Sequence, residues 1–90
     1  MIFTTSNGFH IPDRMMRSIE AYIQKGKPVG DFLQAIICND LREAVVRADD
    51  ENIRNLPAFV YYFYQHAPSQ CWGTRNHYNN WISQKGLKGE

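Results

Sequence analysis

Phe59-Val60-Tyr61-Tyr62-Phe63-Tyr64 puts five aromatic side chains into six consecutive positions. The run lies in a segment expected to be helical from about residue 50 to 66, and one helix face cannot bury all of it. On a 3.6-residue period, Val60, Phe63 and Tyr64 continue a stripe begun by Ile53 and Leu56, with Phe59 and Tyr62 flanking it and Tyr61 pointing elsewhere. Such a helix is either wrapped on most sides by a small domain or offers an aromatic surface to a partner.

The flanking sequence supplies further short helices. Pro12 suits a first helical turn, where its missing N–H is no loss. Ile11, Met15, Ile19, Tyr22 and Ile23 then fall on one side, and Arg14, Arg17 and Glu20 toward the other. Gly26 and Pro28 stop this helix. Asp31 can cap the next helix, which carries the apolar patch Phe32, Leu33, Ile36 and Ile37. Asn39 or Asp40 interrupts it and can cap a third short helix with Leu41, Ala44, Val45 and Ala48, so residues 31–48 form two short helices or one bent one. Asp49 is a natural N-cap, with Asp50 and Glu51 in the first turn, where the helix dipole favours negative charge. Pro57 then demands a kink near Ile53–Leu56 or a restart capped by Asn55. Thr74 caps a last helix, Arg75 to Gln84, with Tyr78 and Trp81 facing inward and Gly86 as its stop. Residues 1–10 read as irregular or weakly extended, and residues 85–90 as a frayed tail. Helix follows helix without alternating strands, which predicts an all-α single domain, a small bundle of four to five short helices. Phe32, Ile36, Leu41, Val45, Leu56, Val60, Phe63 and Trp81 are its expected core.

Ninety residues make one domain that buries roughly 60–65% of its unfolded surface, enough for a core without metal or disulfide. Ten basic residues against nine acidic ones leave a formal charge of +1, so no global field draws nucleic acid. No apolar run reaches a membrane span, and the start of the chain lacks a basic, apolar leader, which points to the cytoplasm. Cys38 and Cys71 are then expected as reduced thiols, small side chains rather than a disulfide.

Specific chemistry is sparse. His66, Cys71 and His77, with Cys38 or His10, offer zinc-ligand types without the tight paired spacing of structural zinc sites. Cys71 between two histidines admits thiolate chemistry, but no glycine pattern accompanies it that would form an oxyanion hole. Residues 40–51 are acidic but hold no glycine, and Val45, Val46 and Ala48 stand where calcium ligands belong, so capping explains the acids. No metal, cofactor or enzymatic activity is therefore expected. Arg14, Arg17, Lys25, Lys27 and Arg75, with Lys85 and Lys88, would merge into a phosphate-binding patch if the first and last helices are neighbours. Trp72, His77 and Tyr78 would add stacking surfaces. A helix-turn-helix over residues 31–48 leaves mainly Arg42, Glu43 and Arg47 to read DNA. Trp72 beside Gly73 is either a plug at one end of the bundle or an exposed anchor.

A longer pattern is more specific than any of these pieces. Gly30-Asp31-Phe32-Leu33-Gln34-Ala35, Asn39-Asp40-Leu41, Arg47-Ala48-Asp49-Asp50-Glu51-Asn52, Leu56-Pro57, and Cys71-Trp72-Gly73 with Trp81 resemble small proteins encoded by bacteriophages and prophages. With Ile11-Pro12 and Tyr22 the likeness covers roughly residues 11 to 82. It departs at Thr74-Arg75-Asn76, where a serine-proline helix start is common. The resemblance carries no site residue across. It implies a mobile-element origin and action in bacterial cytoplasm, where small accessory proteins often block or redirect a host protein, including defence machinery. The expected function is thus a non-enzymatic module binding a host or phage protein through Tyr61, Tyr62, Tyr64 and Trp72, with a homodimer as a further possibility. The alternative is a nucleic-acid-binding accessory protein using Arg14, Arg17, Lys25, Lys27 and Arg75.

Overall fold

The computed structural model describes residues 3–89. The chain runs β1 (Phe3–Thr4), β2 (His10–Ile11), α1 (Asp13–Lys25), α2 (Asp31–Ile37), α3 (Leu41–Arg47), α4 (Asp50–Arg54), α5 (Leu56–His66), a single 3-10 turn at Ser69–Cys71, and α6 (Arg75–Ser83). The expected helical architecture is present, with one addition. Residues 3–10 are not simply irregular: β1 and β2 pair antiparallel, Phe3 opposite Ile11 and Thr4 opposite His10, while Met1 and Ile2 lie outside the described residues. The fold is therefore mostly helical rather than strictly all-α. No helix among the described residues is long and apolar enough to cross a membrane.

Local chemistry explains the breaks. Asn39 adopts a left-handed φ of 61°, a conformation asparagine tolerates better than most residues, and so divides residues 31–47 into two helices. The Asp40 carboxylate accepts from Glu43 N–H at 3.2 Å, the Asp49 carboxylate from Asn52 N–H at 2.8 Å, and Thr74 Oγ1 from His77 N–H at 3.1 Å. These three caps stand where the sequence puts them. Asp31 instead lies inside the first turn of α2, and its carboxylate does not cap. At Pro57 the chain restarts rather than kinks, which separates α4 from α5 and gives more helices than expected. Asn55 stands at the junction, but its side chain does not cap α5. Its Oδ1 accepts from His10 N–H at 2.9 Å while its Nδ2 donates to the Glu51 carbonyl at 2.9 Å. Asn55 thus pins the hairpin to the α4–α5 corner.

α2 packs against α3, α5 and α6, and α5 also packs on the hairpin. Phe59 and Phe63 are fully buried, Phe59 edge-on against Phe32 at 5.0 Å. Tyr22 stacks on Tyr78 at 5.5 Å and donates its hydroxyl to the Cys71 carbonyl at 2.6 Å. The expected core is right for Phe32, Ile36, Phe63 and Trp81, and half right for Leu56, which is partly buried. It is wrong for Leu41, Val45 and Val60, which are exposed, and Met16 replaces Met15 as the fully buried methionine of α1. α3 seats itself on α2 through Ala44, whose small side chain lets the helices approach closely, and this turns Leu41 and Val45 outward.

The ends of α1 and α6 are knotted together. Trp81 Nε1 donates to the carbonyls of Tyr22 and Ile23 at 3.0 and 3.2 Å. Beyond α6, Leu87 N–H donates to Ile23 O and Lys88 N–H to Gln24 O, both at 3.0 Å. Residues 87 and 88 are therefore tied down, not frayed, because they satisfy carbonyls that the end of α1 leaves open; Glu90 lies outside the described residues. Gly26 and Gly86 meet backbone to backbone, both at positive φ. A Cβ on Gly86 would stand 2.6 Å from Gly26 N and 2.7 Å from Lys25 N. The left-handed conformation alone costs roughly 1–2 kcal/mol with a side chain, and the overlap adds to it. Gly86→Ala should lower stability by about 2–3 kcal/mol in urea unfolding. A change under about 0.5 kcal/mol would mean that this junction does not hold the tail.

Candidate functional site

α5 carries no charged side chain from Leu56 through Gln65. Its inner side is settled by neighbours: Ala58, Phe59 and Phe63 are buried against the rest of the domain. Tyr62 also turns away from solvent. It packs edge-on against Phe3 at 5.3 Å and beside His66 at 5.6 Å, and burial pushes its phenol up from its ordinary pKa. Tyr62 therefore belongs to the seam between hairpin and helix and not to an outer surface.

The opposite side of α5 is left open. Val60, Tyr61 and Tyr64 are 43, 47 and 74% exposed, and with the exposed Pro57 they follow the i, i+3, i+4, i+7 spacing of one helical stripe. These four residues alone line a shallow hollow of about 300 Å³. Two further depressions flank it. Val60 also borders a small apolar cleft shared with Leu41, Ala44 and Trp72. Tyr61 also borders a hollow of about 330 Å³ against the hairpin, lined by Thr4, Thr5 and His66 among others. The exposed α3 residue Leu41, 66% open, thereby joins the α5 stripe in one apolar band. Trp72 is half-buried, its ring tilted against Phe63 at 5.8 Å while one edge borders the Leu41–Val60 cleft. It is both plug and rim. Of the residues expected to bind a partner, Tyr61, Tyr64 and Trp72 share this band and Tyr62 does not. Leu41, Pro57 and Val60 belong to it as well. Only polar neighbours along the helix would have revealed their phase, and α5 has neither an amide nor a charged side chain before Gln65.

The arginines expected to form a basic patch are elsewhere and occupied. Arg14 is paired with Asp49 at 3.1 Å and Glu51 at 3.3 Å, and Arg17 with Asp13 at 3.1 Å. The Asn52 N–H first, and then the Arg14 guanidinium, hold the Asp49 carboxyl below its ordinary value. Arg47 lies 3.6 Å from both Asp31 and Glu43. Arg75 begins α6, and its guanidinium lies 2.7 Å from the Gln34 side-chain amide. It lines a polar cleft with Asp31, Asp40 and Glu43, far along α6 from Lys85.

Both cysteines are free thiols. Cys71 is fully buried and burial pushes it up to about 12, while half-buried Cys38 is raised in the same direction and for the same cause. A thiol is nucleophilic as its thiolate, so Cys38 should react with iodoacetamide well before Cys71. Peptide mapping after partial labelling at pH 8 checks this, and equal labelling of the two would contradict the burial of Cys71. Among the described residues, no three His, Cys, Asp or Glu side chains are grouped to hold a metal ion.

Comparison with protein-family models, with curated proteins and with solved structures finds no match to this chain.

Proposed function

We propose that this protein is a non-enzymatic interaction factor that captures another protein on the apolar band formed by α5, Leu41 and Trp72. The observation that carries the reading is the open stripe of Pro57, Val60, Tyr61 and Tyr64 on a helix without charge. Isolated exposed apolar residues are ordinary, but a contiguous band rimmed by polar side chains is a mark of interaction sites. Tyrosine suits the role because it brings broad apolar contact and a hydroxyl that tolerates water. Cys71 is fully buried, and burial pushes its thiol up, which weighs against thiolate catalysis there. The resemblance to phage and prophage proteins supplies the setting: an accessory factor in bacterial cytoplasm whose target is a host or phage protein, defence machinery included.

The test is affinity capture from a bacterial host after nuclease digestion, comparing the native chain with Tyr61→Ala/Tyr64→Ala. Both substitutions are outward-facing and should leave the fold intact, moving stability by about 0.5 kcal/mol or less each. The native chain should retain a protein that the double variant loses. Equal recovery by both would sink the reading, and sedimentation of the free chain shows separately whether two copies pair through the same band.

A further inference from the structure

All four lysines of the chain lie in two short segments, Lys25 and Lys27 after α1 and Lys85 and Lys88 after α6. The Gly26–Gly86 contact and the hydrogen bonds from Leu87 and Lys88 to Ile23 and Gln24 bring these segments together where the ends of α1 and α6 meet. Apart from these lysines, residues 1–84 carry six arginines against eight carboxylates, with Glu90 following Lys88 in the tail, so a nearly neutral protein is polarised. All four lysines are exposed and none is ion-paired among the described residues, whereas Arg14, Arg17 and Arg47 all are.

Helix capping does not explain the cluster. Cations commonly gather at helix C-termini to satisfy the last carbonyls. Here Tyr22 O is taken by Gly26 N–H and Trp81 Nε1, Ile23 O by Leu87 N–H and Trp81 Nε1, and Gln24 O by Lys88 N–H. The ammonium groups are left for something else. Lysine acts as a point charge without the planar fork that reads base edges. The aromatic residues nearest to hand, Tyr78 and Trp81, are buried and unable to stack on bases. Leu87, 56% exposed, is the one large apolar residue among the lysines, too little for a membrane face, which couples cations to a broad apolar surface. We propose that this lysine end binds the phosphate backbone of double-stranded nucleic acid without reading its sequence. The site is separate from the α5 band and independent of what that band captures.

Fluorescence anisotropy of a labelled DNA duplex of about 20 base pairs, titrated with the full chain, tests it. Four phosphate contacts imply a log–log salt slope near −3.6, so affinity should fall roughly 100-fold between about 50 and 200 mM salt. Lys85→Gln/Lys88→Gln should weaken binding at low salt at least about 10-fold and roughly halve the slope. Lys25→Gln/Lys27→Gln should do the same, and serves if the first pair disturbs the tail. Arg14→Gln/Arg17→Gln should leave both quantities unchanged. Absence of DNA binding at low salt would overturn the proposal, as would binding that neither lysine pair alters. Binding to phosphatidylserine vesicles without binding to DNA would also overturn it, and would assign the surface to anionic lipid.

Discussion

Phe63→Ala should destabilise the fold by about 3–5 kcal/mol, through the lost transfer of a large ring and the cavity left behind. Phe63 is fully buried, and its ring meets both Tyr62 and Trp72. No small shift of one neighbour refills that space, since the ring stands between the hairpin seam and the loop leading to α6. Val60→Ala, three positions earlier, should change stability by no more than about 0.5 kcal/mol, as exposed substitutions do. Leu56→Ala should fall between them because Leu56 is only partly buried. Thermal or urea unfolding of the three variants reads the phase of α5 directly. Equal losses at Phe63 and Val60 would place both on the inner face and contradict the structure described here.

The second large effect falls on binding. Tyr61→Ala/Tyr64→Ala should weaken the captured complex by at least about 3 kcal/mol, more than roughly 100-fold in Kd, if the two act as interface anchors. The same double variant should melt close to the native chain, which separates loss of contact from loss of fold. Leu41→Ala should also weaken binding, by a smaller factor, because Leu41 meets the band across the Val60 cleft. No sequence argument joins residue 41 to residue 60; only the packing of α3 on α2 does.

That difference shows where the sequence is legible. Helix ends are local chemistry, and Asp40, Asp49, Thr74 and Gly26 mark them where the structure has them. The inward faces of α1 and α6 are also readable, since polar residues alternate with Ile19, Tyr22, Tyr78 and Trp81 and so fix the phase. α5 has no such contrast. With nearly every residue apolar, the 3.6-residue pattern gives no direction, and Phe32 and the hairpin decide that Phe59 goes in and Val60 out. The tail was illegible for a related reason. Lys85-Gly86-Leu87-Lys88 looks like the end of a frayed helix until Gly26 is seen to leave room for Gly86. Of the candidate interface, only Tyr61 is legible as surplus to one buried face; the 3.6-residue period puts Tyr64 on the inward stripe, whereas it is 74% exposed, and Tyr62 is lost to Phe3, a contact across nearly sixty positions.

Hydroxyl-radical footprinting of the free chain and of its captured complex tests the central claim most directly. In the free chain Tyr61 and Tyr64 should oxidise readily and Phe59 and Phe63 slowly, in keeping with their exposure. In the complex the account predicts strong protection of Tyr61, Tyr64 and Leu41 with little change at Leu87. Tyr61 and Tyr64 oxidised as fast in the complex as in the free chain would show that the partner sits elsewhere and that the α5 band is not the binding face.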